Sequence, residues 1–440
     1  MADGARSSHP AVQAELDRLM ALGMGGDVLG LERIEELCER LGRPQDRLAP
    51  VFHVAGTNGK GSTIAFLRAM LEASGQSVHV FTSPHLVRFN ERIRLAGSLI
   101  EDEALAPLLA EVIDAAQGMK VSFFEATTAA AFLAFARTPA NACLIEVGLG
   151  GRLDATNIVQ PVMTGIAALG MDHMHFLGDT LAAIAGEKTG IAKPGVPLVT
   201  HDYPADADAV IDAKARALGV NRLKRGRDWK IEADGDGLLY RDEKGELALP
   251  RPSLPGMHQA ANAGLAVAML RHQQAIEAER FAESIAAANW PARLQQLPEG
   301  DLTRLLPDGV PVRIDGAHNR NAAEAVAEAL KDGGPLTLVT GILKNRAMED
   351  VLAPFAGQVK RLLTLPITGH DHHDPKDLCV AGMKLFGLDS CGPSDDPRQA
   401  FERIGDALRR DGIAPGERVL VVGSLYLAGQ VLEQNGTPPA

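Results

Sequence analysis

The residues best suited to chemistry are a lysine set among glycines and two hydroxyls, Gly56-Thr57-Asn58-Gly59-Lys60-Gly61-Ser62-Thr63. Glycines at 56, 59 and 61 prevent regular structure and let backbone N–H groups converge, an arrangement that suits phosphate oxygens. Lys60 adds positive charge for the outer phosphates, and Ser62 or Thr63 offers a hydroxyl to a magnesium ion. The order Gly-x-x-Gly-Lys-Gly-Ser departs from the common Walker spacing. An ordinary glycine-rich turn is the plain alternative. Lysine within the loop, a strand before it and a helix after it favour an ATP-type phosphate site.

Further residues invite the same question. Glu146 and His173 stand at the ends of two apolar runs, and Ser83 stands in a loop at the end of a third. A carboxylate, an imidazole and a hydroxyl beside a phosphate can hold a divalent ion, although magnesium prefers oxygen. Taken alone, His173 reads as an ordinary strand-end histidine and Lys188 as a surface lysine. Asp315 and His318 follow a strand and precede a helix, so they either cap that helix or bind a ribose or orient a nucleophile. His370-Asp371-His372-His373-Asp374 has the composition of a metal tract, but without regular ligand spacing it reads as an exposed polar loop.

The elements that must position these residues alternate. Val51–Val54 is a short buried strand, and Ile64, Leu67, Met70 and Leu71 mark a helix closed by Ser74-Gly75. Val78–Phe81 is the next strand. Ala142–Val147 carries Glu146 into a second glycine loop, Gly148–Asn157, and Val162–Leu169 leads to Asp172-His173. Before them, Ala14–Leu41 reads as helices broken at Gly23–Gly30. Phe123–Ala136 is apolar nearly all round and is expected to be a buried helix. Polar residues collect just after the strands, the edge of an open parallel sheet where ligands bind. Beyond Trp290-Pro291-Ala292-Arg293 a new alternation begins at Val312–Ile314, so the chain is expected to form domains 1–292 and 293–440 with a ligand between them.

Composition sets limits. The chain's 440 residues are enough for two or three domains, and with 46% hydrophobic and 23% charged its balance is that of an ordinary soluble protein. A net charge of −12 argues against nucleic acid or an anionic membrane as partner. The longest nearly apolar run, Ala126–Ala136, falls short of the ~20 residues of a membrane span. Cys38, Cys143, Cys379 and Cys391 show no Cys-x-x-Cys pairing and are expected as reduced thiols in the cytoplasm. The basic run Arg222–Lys230 precedes a hairpin with turns near Asp234–Gly237 and Glu243–Gly245, and reads as that hairpin's solvated edge.

Gly56–Ser62, Ser83-Pro84-His85-Leu86, Glu146–Asn157, Asp172-His173, Glu187-Lys188, Gly256-x-His258-Gln259-x-x-Asn262 and Asp315-Gly-Ala-His-Asn319, in this order, resemble the folylpolyglutamate synthase/dihydrofolate synthase family. That family is a branch of the Mur-ligase-like, ATP-dependent amide ligases, and the likeness runs from about Leu29 to Leu425. It implies a P-loop-containing parallel-sheet ATPase domain followed by a smaller Rossmann-like α/β domain. It also implies that ATP phosphorylates a pterin carboxylate, of dihydropteroate or a reduced folate, and that the amino group of L-glutamate displaces phosphate from the acyl phosphate. Under it Lys60, Glu146, His173, Lys188 and His318 are catalytic. Ser62, Ser83, Glu146 and His173 hold one or two Mg2+ ions, and Lys188 is a candidate for carbamylation by carbon dioxide. The loop residues Gly56, Thr57, Asn58, Gly59, Lys60, Gly61 and Ser62 hold ATP with Asn262, Arg293 and Asp315, the last two reaching across a domain cleft. His318 lies near the reacting groups or the incoming glutamate.

Phe123, Phe124, Glu125, Leu153, Asp154 and Ala155 look like the pterin-side contacts of the bifunctional bacterial members. The sequence departs from the family pattern at Val28, where an acidic residue is usual although Asp27 adjoins, at Ala292 in place of glycine, and at Leu343–Arg346 in place of a stretch ending Asp-Lys-Asp. The expected protein is a cytoplasmic monomer acting on small molecules. Its rivals are a Mur-type ligase acting on a UDP-sugar carboxylate, disfavoured by the Leu149–Asn157 loop, and a non-catalytic nucleotide-binding regulator.

Overall fold

The computed structural model describes residues 5–22, 29–273 and 277–439. Asp27, Val28 and most of the break expected at Gly23–Gly30 lie outside them. Contacts divide the chain into two compact units, Met1–Ser253 with His258–Asn289, and Leu254–Met257 with Trp290–Ala440.

The first unit is built on an eight-stranded sheet. Its strands are β1 (Val51–Ala55), β2 (Val78–Phe81), β3 (Ile93–Leu95), β4 (Ser98–Leu99), β5 (Ala142–Glu146), β6 (Met163–Ile166), β7 (Leu198–Thr200) and β8 (Arg222–Lys224). They lie in the order β4-β3-β2-β5-β1-β6-β7-β8. From β2 to β8 the pairing is parallel, whereas β3 and β4 form an antiparallel edge. β1, β5 and β6 are buried along their whole length, as strands covered on both faces must be. Because β5 inserts between β2 and β1, the loops after β1, β2, β5 and β6 share one carboxyl-terminal edge. The register Val54↔Glu146 then sets the glutamate directly beside the end of β1.

Helix Lys60–Ala73 follows the glycine loop and packs against helix His258–Gln273. Helix Phe123–Arg137 is buried from Phe123 to Phe135 on nearly every face, which its alanines and apolar residues require. Strands β9 (Trp229–Asp234), β10 (Gly237–Asp242) and β11 (Gly245–Pro250) form an antiparallel meander with turns where the sequence places them. The basic run is a solvated edge only toward its end, at Arg227 and Lys230. Arg222 is buried in β8 and ion-paired to Asp208 at 2.6 Å and Asp212 at 2.7 Å, and Lys224 reaches Asp208 at 2.6 Å. The acidic partners lie on helix Ala205–Leu218, out of sight of a reading that treats the run by itself.

The second unit holds a six-stranded sheet of β12 (Gln295–Gln296), β13 (Val312–Ile314), β14 (Leu336–Thr340), β15 (Val359–Thr364), β16 (Gly392–Pro393) and β17 (Arg418–Val422), in the order β12-β13-β17-β14-β15-β16. All neighbours but β12 and β13 pair in parallel.

Cys379 and Cys391 form a disulfide, in contrast to the four reduced thiols expected. Helix Pro375–Phe386 carries Cys379, and the chain then turns back into β16 beside β15, which brings the two Cα atoms to 5.6 Å. Cys38 and Cys143 are buried and unbonded, and burial pushes both thiols up to about 12. No helix among the described residues is long and apolar enough to cross a membrane.

Candidate active site

Lys60 opens helix Lys60–Ala73, with Gly59 before it in a left-handed conformation at φ 85°. A Cβ at Gly59 would stand 2.4 Å from Asn262 Oδ1, so glycine is needed for this close approach as well as for its φ. The amides of Thr57 and Asn58 donate to Ala168 O at 2.8 and 3.1 Å, and Thr57 Oγ1 bonds the backbone of Gly170. These groups fasten the loop to the end of β6. The donors suited to a phosphate are therefore the amides of the helix's first turn, which have no acceptor within the helix.

Two lysines meet at one carbonyl. Lys60 Nζ donates to Gly56 O at 3.1 Å and to Thr57 O at 3.3 Å, and Lys188 Nζ donates to Gly56 O at 2.9 Å. Lys188 is 5% exposed, so it is no surface lysine. Burial, and then the charge of Lys60, push its pKa down to about 7, while Asp172 and Asp154 pull the other way. Glu146 Oε1 lies 3.9 Å from Lys60 Nζ. The glutamate at the end of β5 and the lysine of the glycine loop thus share one small, mostly buried volume.

Magnesium is the ion to test against these residues. Ser62 Oγ is buried with no hydrogen-bond partner, the state of a hydroxyl that completes its bonding with an added group. Among the described residues no three His, Cys, Asp or Glu side chains cluster as a ready-made metal cage. A hydroxyl and a single carboxylate beside phosphate oxygens fit magnesium, which keeps several waters and takes few protein ligands. Ser83 follows β2, in a loop whose shape is set by Glu91, which accepts from the amides of Leu86, Val87 and Arg88. His173 follows β6 at φ 50°, with its amide donating to Asp172 Oδ1 at 2.7 Å. The fold thus places both at the sheet edge that carries Glu146.

The Gly148–Asn157 loop is tightly fixed. A Cβ at Gly190 would lie 2.3 Å from that of Arg152, and one at Gly151 would lie 2.8 Å from Glu187 O, so two backbones cross where glycines allow it. Arg152 pairs with Glu187 at 2.8 Å, and Asn157 Nδ2 donates to Arg152 O and Gly190 O. Asp154 takes the amides of Leu149 and Thr156 into its own loop, and burial pushes its pKa up. Phe124 packs over Gly148, where a Cβ would meet the ring at 2.4 Å. Phe123 lies in the core edge-on to Phe89, and Ala155 is buried. Glu125 caps its helix with Ser122 and pairs with Arg33 at 2.8 Å, while Leu153 is half-buried.

In the second unit Asp315 is buried after β13. Its carboxylate accepts from the amides of Leu294 at 2.7 Å and Ala317 at 2.8 Å; burial raises its pKa, and Arg293 opposes the rise. Arg293 Nη1 donates to Ala292 O, and His318 Nδ1 donates to Gly316 O at 2.9 Å. Ala292 sits at φ 52°, the conformation that makes glycine usual there. The imidazoles of the His370–Asp374 tract are engaged within the unit. His370 stacks on Tyr426, His372 returns to His370 O and His373 reaches Arg346 O, tying the loop to 342–346.

Known proteins show the same architecture. Residues 54–270 match the Mur ligase middle domain and residues 302–425 the glutamate ligase domain of Mur ligases. The chain is 36% identical over 426 residues to the dihydrofolate synthase/folylpolyglutamate synthase of Bacillus subtilis, covering 91% of this chain and 94% of that one. This chain belongs to the dihydrofolate synthase/folylpolyglutamate synthase family. The Escherichia coli member is 33% identical over 411 residues, covering 92% and 91%. The structure of E. coli FolC with DHPP and ADP superposes with a TM-score of 0.84 at 30% identity over 97% of each chain. The Yersinia pestis bifunctional enzyme, with Mn, AMPPNP and L-glutamate bound, gives a TM-score of 0.83 at 28% identity over 98% and 99%. As a family member the chain is an ATP-dependent ligase.

Three participants had no role assigned from the sequence, although Asp172 and Thr156 lie within its motifs. Asp172, buried and coulombically coupled to Lys188, was visible in the sequence as an acidic residue just after β6. Thr156 and His53 form a buried contact that no spacing predicts, although a histidine interrupting Val-Phe-His-Val-Ala was a signal.

Proposed function

We propose that this protein joins L-glutamate to a pterin carboxylate, making dihydrofolate from dihydropteroate and extending reduced folates. The observation that carries the reading is the meeting of Lys60, Lys188 and Glu146 around Gly56 O at the edge of the parallel sheet. Transfer of the γ-phosphoryl of ATP to the substrate carboxylate makes an acyl phosphate and ADP. The glutamate amine then attacks that carbonyl; a C–N bond forms, the C–O bond to phosphate breaks and the amine loses a proton. Lys60 and the amides of the helix's first turn stabilise charge on the transferred group. Ser62, Ser83, Glu146 and His173 would hold magnesium, which would supply further charge neutralisation. Phe124, Leu153 and the Asp154 loop face the pterin side, Asn262 and Arg293 with Asp315 serve the nucleotide, and His318 serves the incoming glutamate.

The residues are supported by their placement and by the family pattern. The sequence charge of −12 and the small-molecule chemistry support a cytoplasmic monomer with no nucleic-acid or membrane partner. The test is phosphate release with ATP, magnesium and glutamate, adding dihydropteroate or tetrahydrofolate in turn and weighing the products by mass spectrometry. Release that requires both glutamate and a pterin, with product gaining one glutamate, is expected. If neither pterin stimulates ATP breakdown, the reading fails.

A further inference from the structure

His53 is the middle residue of β1 and is fully buried, an unusual place for an imidazole. Its Nε2 lies 2.8 Å from Thr156 Oγ1, and that hydroxyl lies 2.5 Å from Asp154 Oδ1. Chemistry sets the direction of each bond. An ionised carboxylate only accepts, so the single proton of the Thr156 hydroxyl goes to Asp154. Thr156 can then only accept from His53, which places the proton on Nε2 and leaves Nδ1 bare. Nδ1, the acceptor of this tautomer, is buried without a hydrogen-bond partner. Burial also holds the ring neutral, with its pKa pushed down to about 3.

Asp154 Oδ1 further accepts from Thr156 N at 3.0 Å, and Oδ2 from Leu149 N at 2.7 Å. One continuous set of bonds therefore runs from the strand that enters the phosphate loop to the backbone of the loop that follows Glu146. The loop is also fastened by Arg152 to Glu187, through its amide and its guanidinium, by Asn157 Nδ2 to Arg152 O and Gly190 O, and by Lys193 Nζ to Asn157 O. None of these bonds reaches the Asp154 carboxylate.

We propose that His53 is a positioning residue, acting through Thr156 to set Asp154 and the Gly148–Asn157 loop for the pterin-side substrate. This rests on the functional reading above. Buried polar chains act as units, so loss of the His53 donor leaves Thr156 and Asp154 to re-pair in other orientations. The strand itself, and the phosphate loop fastened to Ala168, keep their own bonds.

The experiment measures KM for dihydropteroate and for ATP in phosphate release by wild type, His53→Leu, Thr156→Val, His53→Gln and Thr156→Ser. His53→Leu and Thr156→Val are expected to raise the dihydropteroate KM about tenfold or more. KM for ATP should stay within about twofold, the split that general loosening of the fold would not give. His53→Gln and Thr156→Ser, which keep the donor and the hydroxyl, should restore dihydropteroate KM to within about threefold of wild type. The His53→Leu/Thr156→Val double variant should be no worse than the weaker single variant, because both break one chain. Equal rises in both KM values, an unchanged dihydropteroate KM in Thr156→Val, or additive losses would each overturn the proposal. Should His53→Leu fail to fold, Thr156→Val and Thr156→Ser decide it. A wild-type protein indifferent to every pterin overturns the functional reading with it, whereas an active wild type with unaltered variants overturns the role of His53 alone.

Discussion

Lys188 allows a quantitative test, because the fold opposes the charge that an unfolded lysine carries. Its amine is buried against Gly56 O beside Lys60, and its pKa falls from 10.5 to about 7. The unfolded chain keeps the proton up to about pH 10.5, and the folded chain releases it near 7. Between those values the unfolded state binds more protons, so stability rises with pH by about 1.4 kcal/mol per unit. The penalty is fully present below pH 7 and has gone by pH 10.5. From pH 6 to pH 9 the gain comes to about 2.5 kcal/mol, since at pH 6 nearly all native Lys188 is protonated. Lys188→Met removes this dependence. Trp229 is buried in the first unit, so a Trp290→Phe background lets its fluorescence report urea unfolding of that unit. In buffer depleted of carbon dioxide, the stability of the parent minus that of Lys188→Met should increase by about 2.5 kcal/mol between pH 6 and pH 9. A difference that stays flat refutes the reasoning, because a group titrating alike in both states contributes no slope. A neutral amine at pH 7–8 is also what attack on carbon dioxide requires. Restored bicarbonate should therefore stabilise the parent relative to Lys188→Met without lessening the rise with pH, as the N–C bond of a carbamate forms on the folded amine and its proton leaves.

Two further substitutions probe the site and its frame. Glu146→Gln removes the carboxylate 3.9 Å from Lys60 while keeping its shape, and should lower turnover by at least about 10²-fold with an unchanged circular dichroism spectrum. Retained turnover would take Glu146 out of the metal and phosphate site. Ala292→Gly should stabilise the second unit by about 0.5–1 kcal/mol in urea, since relief of a left-handed alanine outweighs the added entropy of glycine. A loss of stability would mean that burial of the Ala292 methyl matters more than its φ.

Local chemistry made much of this protein legible in its sequence. The strand, glycine loop and helix at Val51–Ala73 follow from apolar period, glycines and capping residues within a few positions of one another. Glu146 could be placed at a strand end because Ala142–Glu146 is an unbroken apolar run closed by a charge. Ala292 stood out as a departure from glycine, and its φ of 52° supplies the reason. What could not be read were pairings between distant segments. Lys188 reads as a surface residue until helix Leu181–Lys188 is set beside β1, and Arg222 reads as solvated until helix Ala205–Leu218 supplies its carboxylates.

The order of elements, the phosphate loop and the candidate carboxylate were thus determined by the sequence alone, because each depends on residues a few bonds apart. Strand order decided the rest: with β5 and β6 flanking β1, Glu146 and Lys188 converge on the lysine of the glycine loop. The same packing joins Cys379 to Cys391 and threads His53 through Thr156 to Asp154. Burial then decides the protonation of these groups, since a pKa depends on the charges and solvent that the fold gathers or excludes.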